Sequence, residues 1–95
     1  MRRIQHFING QHQAGTSGRS GDVYNPATGQ VQAQVDLASV AEVGEAVASA
    51  RKASEEWAES SLTQRTQIMF RFRELLSDRT EELAGVISSE HGKVV

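Results

Sequence analysis

The spacing of apolar positions changes once along this chain. As far as Leu37 they fall in short runs or alternate with polar residues, and from Val43 onward they recur every three or four positions. The first pattern predicts strands and the second predicts helices. His6-Phe7-Ile8 runs into Asn9-Gly10, a pair that accepts the positive φ angles of a two-residue turn, so a β-hairpin is expected from about Ile4 to Ala14. Gly15 to Gly21 is rich in glycine and hydroxyl side chains and reads as an exposed connecting loop. Val23-Tyr24 then enters Asn25-Pro26-Ala27-Thr28-Gly29. There Asn starts a turn, Pro presets φ, and Gly allows a tight exit. Beyond it Val31, Ala33, Val35 and Leu37 alternate with Gln30, Gln32, Gln34 and Asp36, a half-buried strand with one apolar and one wet face.

Ser39-Val40-Ala41-Glu42 has the spacing of a capping box and opens the helical part. Val43, Ala46, Val47, Ala50, Ala53 and Trp57 form one stripe that carries the first helix to about Glu59. The stripe is mostly alanine, so whatever covers it must approach closely. Ser60-Ser61-Leu62-Thr63 breaks the run. A second helix then places Ile68, Phe72, Leu75 and Leu76 on one face and Arg65, Arg71, Arg73 and Glu74 outside. Asp78-Arg79-Thr80-Glu81 repeats the capping spacing and predicts a third helix with Leu83, Val86 and Ile87 inward, ending near Gly92. The fold class is therefore α/β: an N-terminal hairpin and strands plus three amphipathic helices. The chain stops at Val94-Val95, an apolar pair without a polar tail, and reads as a cut end.

Composition narrows the function classes. The 95 residues suffice for one small domain, but Phe7, Tyr24, Trp57, Phe70 and Phe72 are the only aromatics to fill a core. Ten basic and twelve acidic residues give a net charge of -2 with no basic stripe, which argues against a nucleic-acid partner. The basic start Met1-Arg2-Arg3-Ile4 is followed by polar residues, so neither a signal peptide nor a membrane span is expected. The absence of cysteine removes disulfides, thiolate zinc sites and a sulfur nucleophile, and fits a cytoplasmic protein.

Few residues suggest chemistry. His6 and His12 flank the Asn9-Gly10 turn, and their even spacing would bring them to one hairpin face as two metal ligands; a third ligand is missing, and both read as surface histidines. Glu55, Glu56 and Glu59 cluster near Trp57, where paired carboxylates share acid and base roles only if burial separates them. A solvated charge run is the plainer reading. Gly15, Gly18, Gly21 and Gly29 lie between strands, not between a strand and a helix as a phosphate cradle requires. Gly92-Lys93 matches the end of a Walker loop, but it closes a helix beside His91 and reads as a C-cap.

Phe7-Ile8-Asn9-Gly10, Asn25-Pro26-Ala27-Thr28-Gly29, the alanine-rich helix ending at Trp57, then Arg65, Leu75-Leu76 and Glu90-His91-Gly92-Lys93 resemble, in order and spacing, the N-terminus of the aldehyde dehydrogenase superfamily. The Gly15-Thr16-Ser17-Gly18-Arg19 loop and His91 before Gly92-Lys93 look most like the CoA-acylating methylmalonate-semialdehyde dehydrogenases. This resemblance implies that residues 1–95 are the N-terminal part of the NAD-binding domain of a larger enzyme, commonly a homodimer or homotetramer. It implies a reaction in which a cysteine thiolate attacks an aldehyde, hydride passes to NAD, and CoA accepts the acyl group. The nucleophile, the oxyanion donors and the NAD-binding residues would all lie outside these positions, so the segment is expected to be inactive and no catalytic, cofactor-binding or metal residue is assigned in it. Some members bind a monovalent cation through backbone carbonyls, a role that would fall to Val23 and Tyr24. The reading from another class is a self-standing helical protein-interaction module that grips a partner with the Val43 to Trp57 stripe.

Overall fold

The computed structural model describes residues 1–94; Val95, half of the closing apolar pair, lies outside the described residues. Five strands precede three helices: β1 (Arg2–Ile4), β2 (His6–Ile8), β3 (Gln11–Gln13), β4 (Ser20–Tyr24), β5 (Val31–Asp36), α1 (Val40–Glu59), α2 (Leu62–Asp78) and α3 (Thr80–His91). The hairpin and the remaining strands form two separate sheets. β2 and β3 make the expected hairpin, with His6 opposite Gln13 and Ile8 opposite Gln11. Its turn has Asn9 at φ 54° and Gly10 at φ 73°, the left-handed pair that a two-residue turn of matching twist demands. Ile4, placed in that hairpin by its sequence, instead belongs to β1, which pairs in parallel with β5 from Arg2 opposite Ala33 to Ile4 opposite Val35.

β5 is the middle strand of the order β1-β5-β4, with β4 antiparallel on its other edge. Ser20 and Gly21, expected in the loop, begin β4 opposite Asp36 and Val35. Between β4 and β5 the Asn25 carbonyl accepts the Gly29 amide at 2.7 Å, and its side chain accepts the Ala27 amide at 3.0 Å. The alternation in β5 holds only in part. Ala33 is fully buried, as its face predicts, but Asp36 on the supposedly wet face is 7% exposed. A central strand has neighbours on both edges, and polar groups converge on Asp36 from both.

The first capping box forms in full: Ser39 Oγ accepts the Glu42 amide at 3.1 Å, and Glu42 Oε1 accepts the Ser39 amide at 3.0 Å. Ser61 and Gln64 build a second such box at the start of α2, at a point where the sequence showed only a break. The box expected at Asp78 does not form. Asp78 ends α2, and Arg79, with no side-chain cap, joins α2 directly to α3. Gly92 at φ 84° closes α3 in the left-handed conformation that favours glycine.

The helices make few contacts with one another or with the sheet, so their apolar stripes lie open. Val43, Val47, Ile68 and Phe72 are each more than half exposed, and Leu83, Val86 and Ile87, expected to face inward, are exposed too. The body is a plate with principal extents of 48 × 35 × 15 Å and a radius of gyration of 17.0 Å, against about 12 Å for a compact chain of this length. Its surface of 7791 Å² exceeds the roughly 5,400 Å² of a compact monomer of this mass. The segment has secondary structure without a core of its own.

Candidate functional site

The densest polar arrangement is the joint where the two sheets meet the start of α1. The alternation of β5 ends at Asp36, just before the capping Ser39, so strand and helix deliver two carboxylates to one place. Asp36 Oδ2 accepts the Gly15 amide at 2.7 Å, while Oδ1 takes the Arg3 guanidinium of β1. Only 4% of the Asp36 side chain is exposed. Arg3 also donates to Gln34 Oε1 at 3.2 Å, and Gln34 donates to Asp22 at 3.2 Å, which links all three strands across one face. Glu42 Oε2 accepts the Thr16 amide at 3.2 Å and lies 3.0 Å from His6 Nε2. The loop between the sheets is pinned further by Ser17, whose hydroxyl donates to the Leu37 carbonyl, and by Arg19, which donates to the Ala38 carbonyl at 2.9 Å.

Both carboxyls are held below the usual carboxylate range. For Asp36 the Gly15 amide is the largest cause; the Arg3 hydrogen bond and charge and the His6 charge add to it against the opposing desolvation. For Glu42 the Ser39 amide leads, joined by Thr16, the Ser39 hydroxyl and the His6 charge, again against desolvation. Both are therefore ionised at neutral pH and act as fixed acceptors, unlike a general acid, which needs a raised pKa.

A second joint ties the far end of α3 to the sheet. Gln32 of β5 donates to the Ser89 carbonyl at 2.9 Å and accepts from the Ser89 hydroxyl at 3.2 Å. A Cβ on Gly92 would stand 3.2 Å from Pro26 Cγ, so the helix cap rests on the Asn-Pro turn.

The remaining sequence candidates separate. His6 and His12 lie on opposite faces of the hairpin, because residues directly opposed share a face and His6 opposes Gln13 while His12 opposes Phe7. His12 packs on Phe7 with ring centroids 5.1 Å apart. The even spacing separates them because a two-residue turn places strand partners an odd number of positions apart; His12 is exposed as expected, whereas the His6 side chain, expected at the surface, is only 15% exposed. Glu55, Glu56 and Glu59 are exposed along the last turns of α1, and His91 and Lys93 are exposed at the end of α3. Arg65, expected outside, is half-buried, with Nε lacking a partner. The Tyr24 carbonyl accepts Gln32 Nε2 at 3.5 Å. Among the described residues no group of three His, Cys, Asp or Glu side chains is gathered for a metal. Of the joint residues only Ser39 and Glu42 carried a sequence signal; a strand-ending carboxylate one turn before a helix cap was the clue to Asp36.

Nor do these residues fit a dinucleotide. Pyrophosphate needs free amides at a helix N-terminus behind a glycine turn, whereas at the start of α1 the Glu42 amide is taken by Ser39 Oγ and the Ser39 amide by the Glu42 carboxylate, and α3 opens with Glu81 and Glu82.

Residues 12–95 match the model of the aldehyde dehydrogenase family. The chain belongs to that family. This aldehyde dehydrogenase segment is 44% identical over 91 residues to malonate-semialdehyde dehydrogenase 2 of Geobacillus thermodenitrificans, covering 96% of the segment and 19% of that relative. Malonate-semialdehyde dehydrogenase of Listeria monocytogenes is 37% identical over 93 residues, covering 98% and 19%. Among solved structures, one from Sinorhizobium meliloti, assigned as a methylmalonate-semialdehyde dehydrogenase and complexed with NAD, superposes with a TM-score of 0.93 at 45% identity, covering 96% of the segment and 18% of that chain. Methylmalonate-semialdehyde dehydrogenase from Oceanimonas doudoroffii gives 0.90 at 41%, covering 96% and 18%. The segment thus spans under a fifth of the relatives it matches and corresponds to their N-terminal segment. Among the described residues no helix is long and apolar enough to cross a membrane.

Proposed function

We propose that these 95 residues are the N-terminal part of the NAD-binding domain of a CoA-acylating (methyl)malonate-semialdehyde dehydrogenase, and that they act as a scaffold with no catalytic group of their own. The observation that carries this reading is the likeness to the Sinorhizobium meliloti structure at 0.93 and 45% identity, together with apolar helix faces that nothing in the segment covers. NAD would accept hydride and CoA the acyl group. Both would be held by residues outside this segment: the starts of α1 and α2 are already capped by their own side chains, and α3 opens with Glu81 and Glu82. What the segment contributes is rigidity. Its two polar joints fix the strands, the Asn-Pro turn and the helices in one plate, and the open stripes of α1, α2 and α3 seat that plate on the rest of a cytoplasmic, oligomeric enzyme.

The experiment is NAD reduction by the full-length protein with malonate semialdehyde, with and without CoA. We expect turnover that depends on CoA. Turnover with the aldehyde but equal rates without CoA would leave the dehydrogenase and remove the acylating reaction, and no reduction with any aldehyde would overturn the reading. A self-standing interaction module would use the same Val43 to Trp57 stripe. The family match over nearly the whole segment favours the enzyme.

A further inference from the structure

We propose that Arg65 anchors α2 to the rest of the chain: the surface that covers α2 carries an Asp or Glu side chain, from beyond residue 95, that pairs with the Arg65 guanidinium. This rests on the proposed function for the existence of that further chain; the matched segment is 19% of the Geobacillus relative. On a helix the neighbours of a residue are those three and four positions away. For Arg65 these are Leu62, Ile68 and Met69, with Phe72 one turn further, and each is more than half exposed. The guanidinium therefore belongs to the middle of the apolar face of α2. Gln64, Gln67, Arg71 and Glu74 make up the polar side of the same helix.

Among the described residues Arg65 is the one Lys or Arg that is not exposed, and the one residue of α2 that is not. Its Nε is already shielded from water without an acceptor, and no described carboxylate lies within 4.0 Å of its guanidinium. The groove of about 530 Å³ beside it is lined by Trp57, Leu62, Thr66, Met69 and Phe70 together with Arg73, and by no acidic side chain. Its charge is all of one sign, so the complement is acidic. Covering so apolar a face removes water from the guanidinium, and a charge buried without a partner opposes that covering. Carbonyl groups offset only part of the cost. A carboxylate supplies the opposite charge and two oxygens that match the planar fork of arginine. A small free anion would leave Leu62, Ile68, Met69 and Phe72 uncovered, whereas a protein surface with one acidic residue among apolar ones satisfies both.

The test compares thermal unfolding of the full-length protein as wild type, R65M, R65K and R73M, at pH 7.5 and pH 5.5. Methionine suits an apolar face, so R65M should match or exceed wild type if the guanidinium has no partner. With the pair present, R65M leaves a carboxylate buried alone, and its midpoint should lie about 5–10 °C below wild type at pH 7.5. At pH 5.5 that difference should shrink to about half or less, because a lone buried carboxyl holds a proton more readily. R65K keeps the charge and should lose less than R65M, while the exposed Arg73 should accept methionine within about 1 °C at both pH values. No loss in R65M, or a loss of equal size at both pH values, would overturn the proposal. If R65M does not fold, a crystal structure of the wild-type full-length protein decides. An Asp or Glu oxygen of the same chain, beyond residue 95 and within about 4 Å of the Arg65 guanidinium, supports the pair. Carbonyls or waters alone, or a carboxylate from a second subunit, rule it out. NAD reduction enters neither readout, so a protein inactive on every aldehyde can still show the pair, and the two readings fail separately.

Discussion

Gly15 to alanine is the perturbation whose size follows most directly from the structure. The added Cβ would stand 2.8 Å from Asp36 Cβ and 3.2 Å from both Asp36 Cγ and Oδ2. Ordinary carbon contacts lie near ~3.5 Å, so one side must yield by roughly 0.7 Å. Asp36 cannot swing aside, since Arg3 holds one oxygen and the Gly15 amide the other. The chain must move instead, and overpacking of this kind destabilises by about 1–3 kcal/mol. In native-state hydrogen exchange on the full-length protein, amides of β4, β5 and the loop between the sheets should therefore exchange about five- to 150-fold faster in G15A, with α2 unchanged. G18A serves as a comparison, because nothing lies within 4 Å of its added Cβ and only its φ of 75° opposes alanine. The packing argument would be refuted if G15A exchanged within twofold of wild type, or if the increase were no larger than in G18A.

Gly44 and Gly85 have open space around an added Cβ and ordinary helical φ, so alanine there should raise the helix content of the isolated segment, each gaining about 0.5–1 kcal/mol by circular dichroism. The same variants in the full-length enzyme should destabilise if the rest of the chain packs closely on α1 and α3; a gain in both settings would show those faces to be free. S39A removes the N-cap of α1 and should lower stability by about 1 kcal/mol, measured as faster exchange in residues 41–45, whereas S77A, which caps nothing, should not. Because the Asp36 carboxyl is held low in the folded state, its stabilisation is complete above its ordinary value of 3.8 and is lost as pH falls further. Acid exchange of the Gly15 region should rise there in wild type and lose that dependence in D36N. The isolated segment should melt without a cooperative transition; a sharp calorimetric peak would show that it folds alone.

Local rules were legible wherever neighbours in sequence settle the structure. Asn9-Gly10, Ser39 with Glu42, the Asn25 turn and Gly92 each close through contacts only a few residues apart, and each formed as its residues predict. What escaped was set by distant partners. The parallel seat of β1 on β5 joins residues some thirty positions apart, and no periodicity marks it. Asp36 follows the polar alternation faithfully, yet its burial depends on Arg3 and Gly15, neither of which carries a signal for it. The third helix shows the limit of a motif: Asp78 had the right spacing for a cap, but α2 continued through it and left no extended residue to serve as one. The amphipathic stripes formed as stripes, but Leu83, Val86 and Ile87 of α3, expected inward, are exposed, because a pattern states that a face will be covered without stating by what.

The 15 Å plate bears on how such an enzyme is made. In a chain built like the relatives, where this segment comes first and fills only 19% of the length, roughly 400 residues are still to be added when α3 leaves the ribosome, which takes on the order of 20–80 s. For that interval the stripes from Val43 to Ile87 have no surface to close on, so the newborn polypeptide presents its stickiest side to the cell before its cover exists. The sheet pairing and the polar joints are then the long-range order available to it, and chaperone engagement early in synthesis, measurable by ribosome-selective profiling, is the expected consequence.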